Sequence, residues 1–170
     1  MSPYVAEPMK MYATHNSLRE KGRVQIAETL NRRLADVLDL QGQCKQAHWN
    51  VKGPDFMALH LMFDQVHASV AEYADLLAER IVQLGGMAEG TARLVAERSE
   101  LDEYPLGIAS GAEHIKALST ALAAFGARIR FAIQEADELE DADTADICTE
   151  VSRGMDKWLW MVEAHAQTEK

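Results

Sequence analysis

The stretch KQAHWNVKGPDFMALHLMFDQ, residues 45–65, decides how the chain is to be read. Its first half closes a run in which Ile26, Leu30, Leu34, Val37 and Leu38 recur at three- and four-residue steps. That is a helical period, and it predicts a helix from about Leu18 to Trp49. Gly53 and Pro54 break it. After Pro54 the period resumes through Phe56, Leu59, Phe63, Val66, Val70, Leu77 and Ile81, until Gly85 and Gly86 stop it. Two long helices therefore meet at one sharp turn, with His48 and Trp49 before it and His60 and Asp64 after it.

Working outward, residues 87–109 are less regular. TARLVAERS reads as a short helix and ELDEYPLG as a turn-rich connection. Ser110 and Glu113 have the spacing of a capping box and predict a third long helix to about Asp137. ELEDADTADI is an acidic corner. Asp143 is the expected cap of a fourth helix reaching about His165. The fold class is all-α: a four-helix bundle with a short extra helix in the crossover between the second and third long helices. That crossover is long enough to span the bundle, so those two helices can run parallel. Residues 1–16, with Pro3 and Pro8 and no period, read as a flexible tail; 17–170 form the bundle domain.

Bulk properties set limits. No apolar run reaches the roughly 20 residues of a membrane span. The N-terminus has neither the basic start nor the apolar stretch of a signal peptide, so the expected location is cytoplasmic. Cys44 and Cys148 make no spaced motif and read as buried, inert thiols of a reducing compartment. A net charge of −10 argues against a surface built throughout for DNA.

The second helix carries the chemistry. His60 and Asp64 are spaced i, i+4 and share a face, as do Asp75 and Glu79. Asp64 and Asp75 are nearly three full turns apart, so both pairs lie on one side of the helix, roughly 16 Å apart along its axis. Metal–ligand bonds are near 2 Å, so one helix cannot join the pairs around one centre. Two readings follow. The acids are a solvated surface, with Arg80 as a helical neighbour, which spacing alone favours. Alternatively, a two-fold axis near residues 69 and 70 lays a second copy antiparallel, so that His60 and Asp64 face the partner's Asp75 and Glu79. Ala68, Ser69 and Ala71 are small enough for that approach, and His48 would join as a third ligand. Two imidazoles and three carboxylates suit iron, with zinc or manganese as competitors, better than copper(I).

AHWNVKG, LHLMFD, YADLLAERIVQLGG and DTADI…DKWLWMVEAH resemble the Dps family, the mini-ferritins called DNA-binding proteins from starved cells. The likeness spans all four long helices. It implies a ferritin-like subunit in a hollow homododecamer with ferroxidase centres between two-fold-related subunits. His48, His60 and Asp64 fall on the family's ligands from one subunit, and Asp75 and Glu79 on those from its partner. Trp49 falls on the family's tryptophan beside the centre, a source of electrons. The implied reaction is oxidation of Fe(II), preferably by hydrogen peroxide, with ferric mineral stored in the shell and DNA and cell protected from oxidative damage. A shell that is mainly nucleoid-associated and DNA-binding, with incidental iron chemistry, is the alternative.

Further residues carry lesser expectations. The resemblance implies that Asp137, Asp141, Asp143 and Asp146 line pores that guide Fe(II) inward, while Asp143 and Asp146 also suit a helix N-terminus. Asp64 and His67 loosely imitate the Glu-x-x-His of bundle di-iron sites, but no second such motif occurs. Trp158, Trp160 and Met161 read as packing or interface residues, and Arg153 with Asp156 as a helical ion pair or an interface contact. Lys10 is the only lysine in the tail, so DNA binding is expected to be weak or absent, with Arg19, Lys21 and Arg23 as its basic patch.

Overall fold

A computed structural model of the chain describes residues 9–167. Five helices follow one another: α1 (Glu20–Asn50), α2 (Phe56–Gln83), α3 (Ala92–Arg98), α4 (Gly111–Glu138) and α5 (Ala142–Glu163). The four long ones form the bundle, and α3 lies in the crossover against α1.

Two turns set the directions. Gly53 takes φ +118°, a conformation other residues rarely adopt, and lets the chain reverse between α1 and α2. At the same end, the Lys52 N–H donates to the Ala109 carbonyl at 2.9 Å. This contact places the starts of α2 and α4 side by side, so those helices run parallel, as the long crossover allows. Ser110 caps α4: its hydroxyl accepts from the Glu113 N–H, and the Glu113 carboxylate accepts from the Ser110 N–H at 3.0 Å.

The core follows the helical period. Leu30, Leu34, Val37 and Leu40 of α1 meet Phe63, Val66, Val70 and Leu77 of α2 and Leu118, Leu122, Phe125 and Ile129 of α4. Each such side chain, fully buried, contributes roughly 1.5–3 kcal/mol. Gly154 of α5 has no side chain because the Tyr73 ring fills the space a Cβ would need. Cys44 and Cys148 are buried and free, and burial pushes both thiols up to about 12, so neither is a thiolate at neutral pH.

The crossover is tied down by ions. The buried Asp36 pairs with Arg33 at 3.0 Å and accepts the Glu100 N–H at 2.8 Å. Arg128 of α4 then holds the Glu100 carboxylate at 3.0 Å.

Two expectations need correction. Asp141, not Asp143, caps α5, accepting the Thr144 N–H at 3.1 Å. The reason is Arg80, whose guanidinium fixes Asp141 in a buried ion pair at 2.7 Å. Asp156 pairs with Arg130 of the neighbouring α4, not with Arg153. In the segment read as a tail, residues 9 and 12 contact the bundle. Met9 packs on the core, and the Tyr12 N–H donates to the Gly85 carbonyl at 2.7 Å. The rest of the expected tail, residues 1–8, lies outside the described residues, as do 168–170.

Candidate metal centre

His48 occupies the last turn of α1 and His60 the second turn of α2. The Gly53 turn folds them onto each other, with ring centroids 3.7 Å apart and planes 21° from parallel. Helix ends leave their last carbonyls without helical partners. Here the Lys52 N–H bonds to Ala109 instead of continuing α1, so the His48 carbonyl is available. His60 Nδ1 takes it at 2.8 Å, and His48 Nδ1 reaches the His60 carbonyl at 2.7 Å.

Carbonyl oxygens only accept. Each Nδ1 therefore carries a hydrogen, and in the neutral form of each ring the lone pair lies on Nε2. This is how proteins commonly prepare imidazole for a metal: one nitrogen held by a backbone acceptor, the other left as ligand.

Asp64 lies one turn beyond His60 and is half-exposed. Its carboxylate meets the ammonium of Lys45, which holds its pKa below the usual carboxylate range. The sequence reading missed Lys45, although its i, i+3 spacing to His48 places both on one face of α1. His67 is a close electrostatic neighbour of Lys45, Asp64 and His48; burial, then Lys45, lowers its pKa, and Asp64 opposes this.

Asp75 and Glu79 are exposed farther along α2 and are not brought to the histidines of their own chain. Among the described residues, no three His, Cys, Asp or Glu side chains come together to hold a metal ion. The exposed stripe of α2 runs through Met57, Leu61, Ala68, Glu72, Asp75, Glu79 and Val82, so both acids lie on the side turned away from the bundle. Trp49, next to His48, is 67% exposed.

With this geometry in view, likeness to known proteins decides the family. A model of the ferritin-like domain matches residues 27–170. The chain is 42% identical over 159 residues to the DNA protection during starvation protein of Agrobacterium fabrum, covering 94% of this chain and 98% of that one. The chain belongs to the Dps family. Among solved structures, DpsA14 from Streptomyces coelicolor matches with TM-score 0.90 at 31% identity, over 95% of this chain and 96% of that one. Mycobacterium smegmatis Dps, in its tetragonal form, matches with TM-score 0.87 at 29% identity, over 92% and 96%.

For a Dps-family chain, the four acidic pore candidates differ in kind. Asp137, Asp143 and Asp146 are exposed. Asp141 is buried with both oxygens engaged: one by Arg80 and the Thr144 N–H, the other by the Thr144 hydroxyl. Three of the roughly four lone-pair sites of this carboxylate are taken inside the fold, and its burial keeps it away from a passing cation. The expected basic patch loses Arg23, which is buried and donates to the Leu84 carbonyl at 2.8 Å. Trp158 packs in the core, whereas Trp160 is exposed. No described helix is long and apolar enough to cross a membrane.

Proposed function

We propose that this chain is a Dps-type ferroxidase and iron store whose centres form only between two copies. The supporting observation is the reciprocal His48–His60 bonding, which leaves both Nε2 lone pairs free, with Asp64 one helical turn beyond His60, while among the described residues no three acid, thiol or imidazole side chains of one chain gather to hold an ion. An antiparallel second copy supplies what is missing. Its Asp75 and Glu79 project from the exposed stripe of α2, and an isologous contact repeats the site twice.

In this reading His48, His60 and Asp64 bind Fe(II), the substrate, from one protomer, and Asp75 and Glu79 bind it from the other. Three carboxylates offset the cations' charge and bridge them. Two Fe(II) together supply the two electrons that hydrogen peroxide takes in one paired step, which avoids hydroxyl radical. Trp49 stands beside the centre as a one-electron donor. Zinc and manganese compete for the same donor set. The shell is a homododecamer holding ferric mineral, cytoplasmic and at most loosely associated with the nucleoid.

Complementation tests the shared site. One variant carries His48→Ala and His60→Ala; the other carries Asp75→Asn and Glu79→Gln. Each alone is inactive. Unfolded and refolded together, random pairing restores about a quarter of the sites, since half the dimers are hybrids with one intact site of two. Absence of any recovery in confirmed hybrid shells overturns the shared site.

A further inference from the structure

Behind the histidines, a buried phenol and imidazole share a short hydrogen bond that the ferroxidase reading leaves unused. Tyr104, in the crossover, and His114, on the first turn of α4, are both buried, with the phenol oxygen 2.6 Å from Nδ1. If Nδ1–H were the donor, the buried phenol hydrogen would have no acceptor among the described residues. The phenol is therefore the donor, and His114 carries its own hydrogen on Nε2. The Asn50 carbonyl lies close enough to favour a charged ring, although Nε2 makes no well-formed hydrogen bond. Asn50 directly follows Trp49, so the backbone that carries the indole passes beside the imidazole.

We infer that Tyr104 and His114 form a proton-coupled electron donor that quenches one-electron holes leaving the metal centre through Trp49.

The inference rests on the ferroxidase reading for its source of holes. When peroxide meets a lone Fe(II), one electron passes and the products are Fe(III), hydroxide and hydroxyl radical. The radical takes an electron from Trp49, becoming hydroxide and leaving the indole one electron short. Tyr104 refills the indole, and its phenolic proton moves along the existing hydrogen bond to His114 Nδ1. Neutral tyrosyl and imidazolium result. A second Fe(II) then returns the electron to Tyr104, and His114 returns the proton. The sum is two Fe(II) oxidised and one peroxide, with two protons, reduced to two waters.

The buried environment suits this coupling. Burial raises the phenol's pKa and lowers that of the imidazole, so the resting pair is neutral and the imidazole is free to accept. Moving the proton as the electron leaves avoids a phenol cation in a site of low dielectric. A mere tether between crossover and bundle would not need a titratable pair.

The test has one arm that needs no iron. In metal-free protein, azide radical from pulse radiolysis oxidises tryptophan, and the tryptophanyl absorption should decay as tyrosyl absorption grows. Tyr104→Phe and Trp49→Phe should each abolish that growth, whereas Tyr12→Phe and Tyr73→Phe should leave it. His114→Gln, which keeps the phenol, should slow it by about a hundredfold or more, the least a positioned base typically supplies; it also serves should Tyr104→Phe not fold. In the second arm, peroxide with substoichiometric Fe(II) should give a freeze-quenched tyrosyl EPR signal that requires Tyr104. Tyrosyl growth that persists in folded Tyr104→Phe, or is unchanged in His114→Gln, overturns the inference. A failed ferroxidase reading shows differently: iron oxidation is absent while the radiolysis arm still succeeds.

Discussion

His48 and His60 each donate Nδ1–H to the other's backbone carbonyl, at 2.8 Å or less. Each ring is thus oriented by the residue that carries the other. Removing one imidazole should disturb the second as well as delete a ligand. For His60→Ala we expect anaerobic Co(II) affinity to fall by more than about 10–100-fold, the cost of losing even an outer partner of a ligand. Unchanged Co(II) binding by the folded variant would remove both histidines from the centre.

Lys45 sets a second expectation. Its ammonium occupies the Asp64 carboxylate, so a metal ion at Asp64 must displace it or tolerate it. Lys45→Met keeps the stem and removes the charge. Metal binding in the equivalent that engages Asp64 should tighten, by no more than about fivefold, because a partly exposed pair is weak. Isothermal titration with Zn(II) reads this; a loss of affinity would make Lys45 a support of the site, not a competitor.

Much of this arrangement was legible beforehand. The three- and four-residue period gives the long helices, and Gly53–Pro54 and Gly85–Gly86 give their breaks, because those signals are local. The Ser110–Glu113 capping box is local too. Asp141 was not legible as the α5 cap, because its choice over Asp143 depends on Arg80, distant in sequence and close only after folding. Lys45 was legible in spacing but overlooked, since a lysine beside ligands looks like surface. The contact of the expected tail with the bundle rests on backbone bonds such as Tyr12 to Gly85, which leave no side-chain pattern. On the proposed reading the metal centre is completed by a second copy, which no feature of one chain alone displays.

DNA should be retained poorly. The chain carries −10 net charge, and burial of Arg23 leaves Arg19 and Lys21 as the patch near α1. What binding exists should be electrostatic and lost steeply between about 50 and 200 mM salt, as counterion release requires. A gel shift with full plasmid retention at physiological salt would contradict this.

Acid should weaken the start of α4 through Glu113. Its hydrogen bonds with the Ser110 hydroxyl, then with the Ser110 and Ala109 N–H groups, hold its pKa below the ordinary 4.5. A carboxylate depressed on folding contributes stability that is fully present above its unfolded value and is lost as pH falls through the folded one. Glu113→Gln should therefore melt below the parent at neutral pH, and the gap should close as pH drops below about 4.5, the unfolded value. Thermal melts at a series of pH values check the sign; a gap that widens on acidification would contradict it.

The Arg80–Asp141 pair sets Asp141 apart from the exposed aspartates around it. Both side chains are buried at 2.7 Å, and Asp141 also caps α5. Asp141→Ala leaves the Arg80 charge without its buried partner, which should cost about 3–5 kcal/mol. Arg80→Met with Asp141→Leu removes both charges and should cost less, because no lone ion remains inside. Urea unfolding gives both values, and equal losses would mean that the cap, not the charge, carries the effect. Asp137→Asn, Asp143→Asn and Asp146→Asn act on exposed carboxylates and should unfold within about 0.5 kcal/mol of the parent. If these acids line an entry path, the three changes together should slow Fe(II) uptake into assembled shells while leaving Co(II) affinity at the histidines intact. Uptake that follows Asp141 alone would reverse the assignment of roles among the four aspartates.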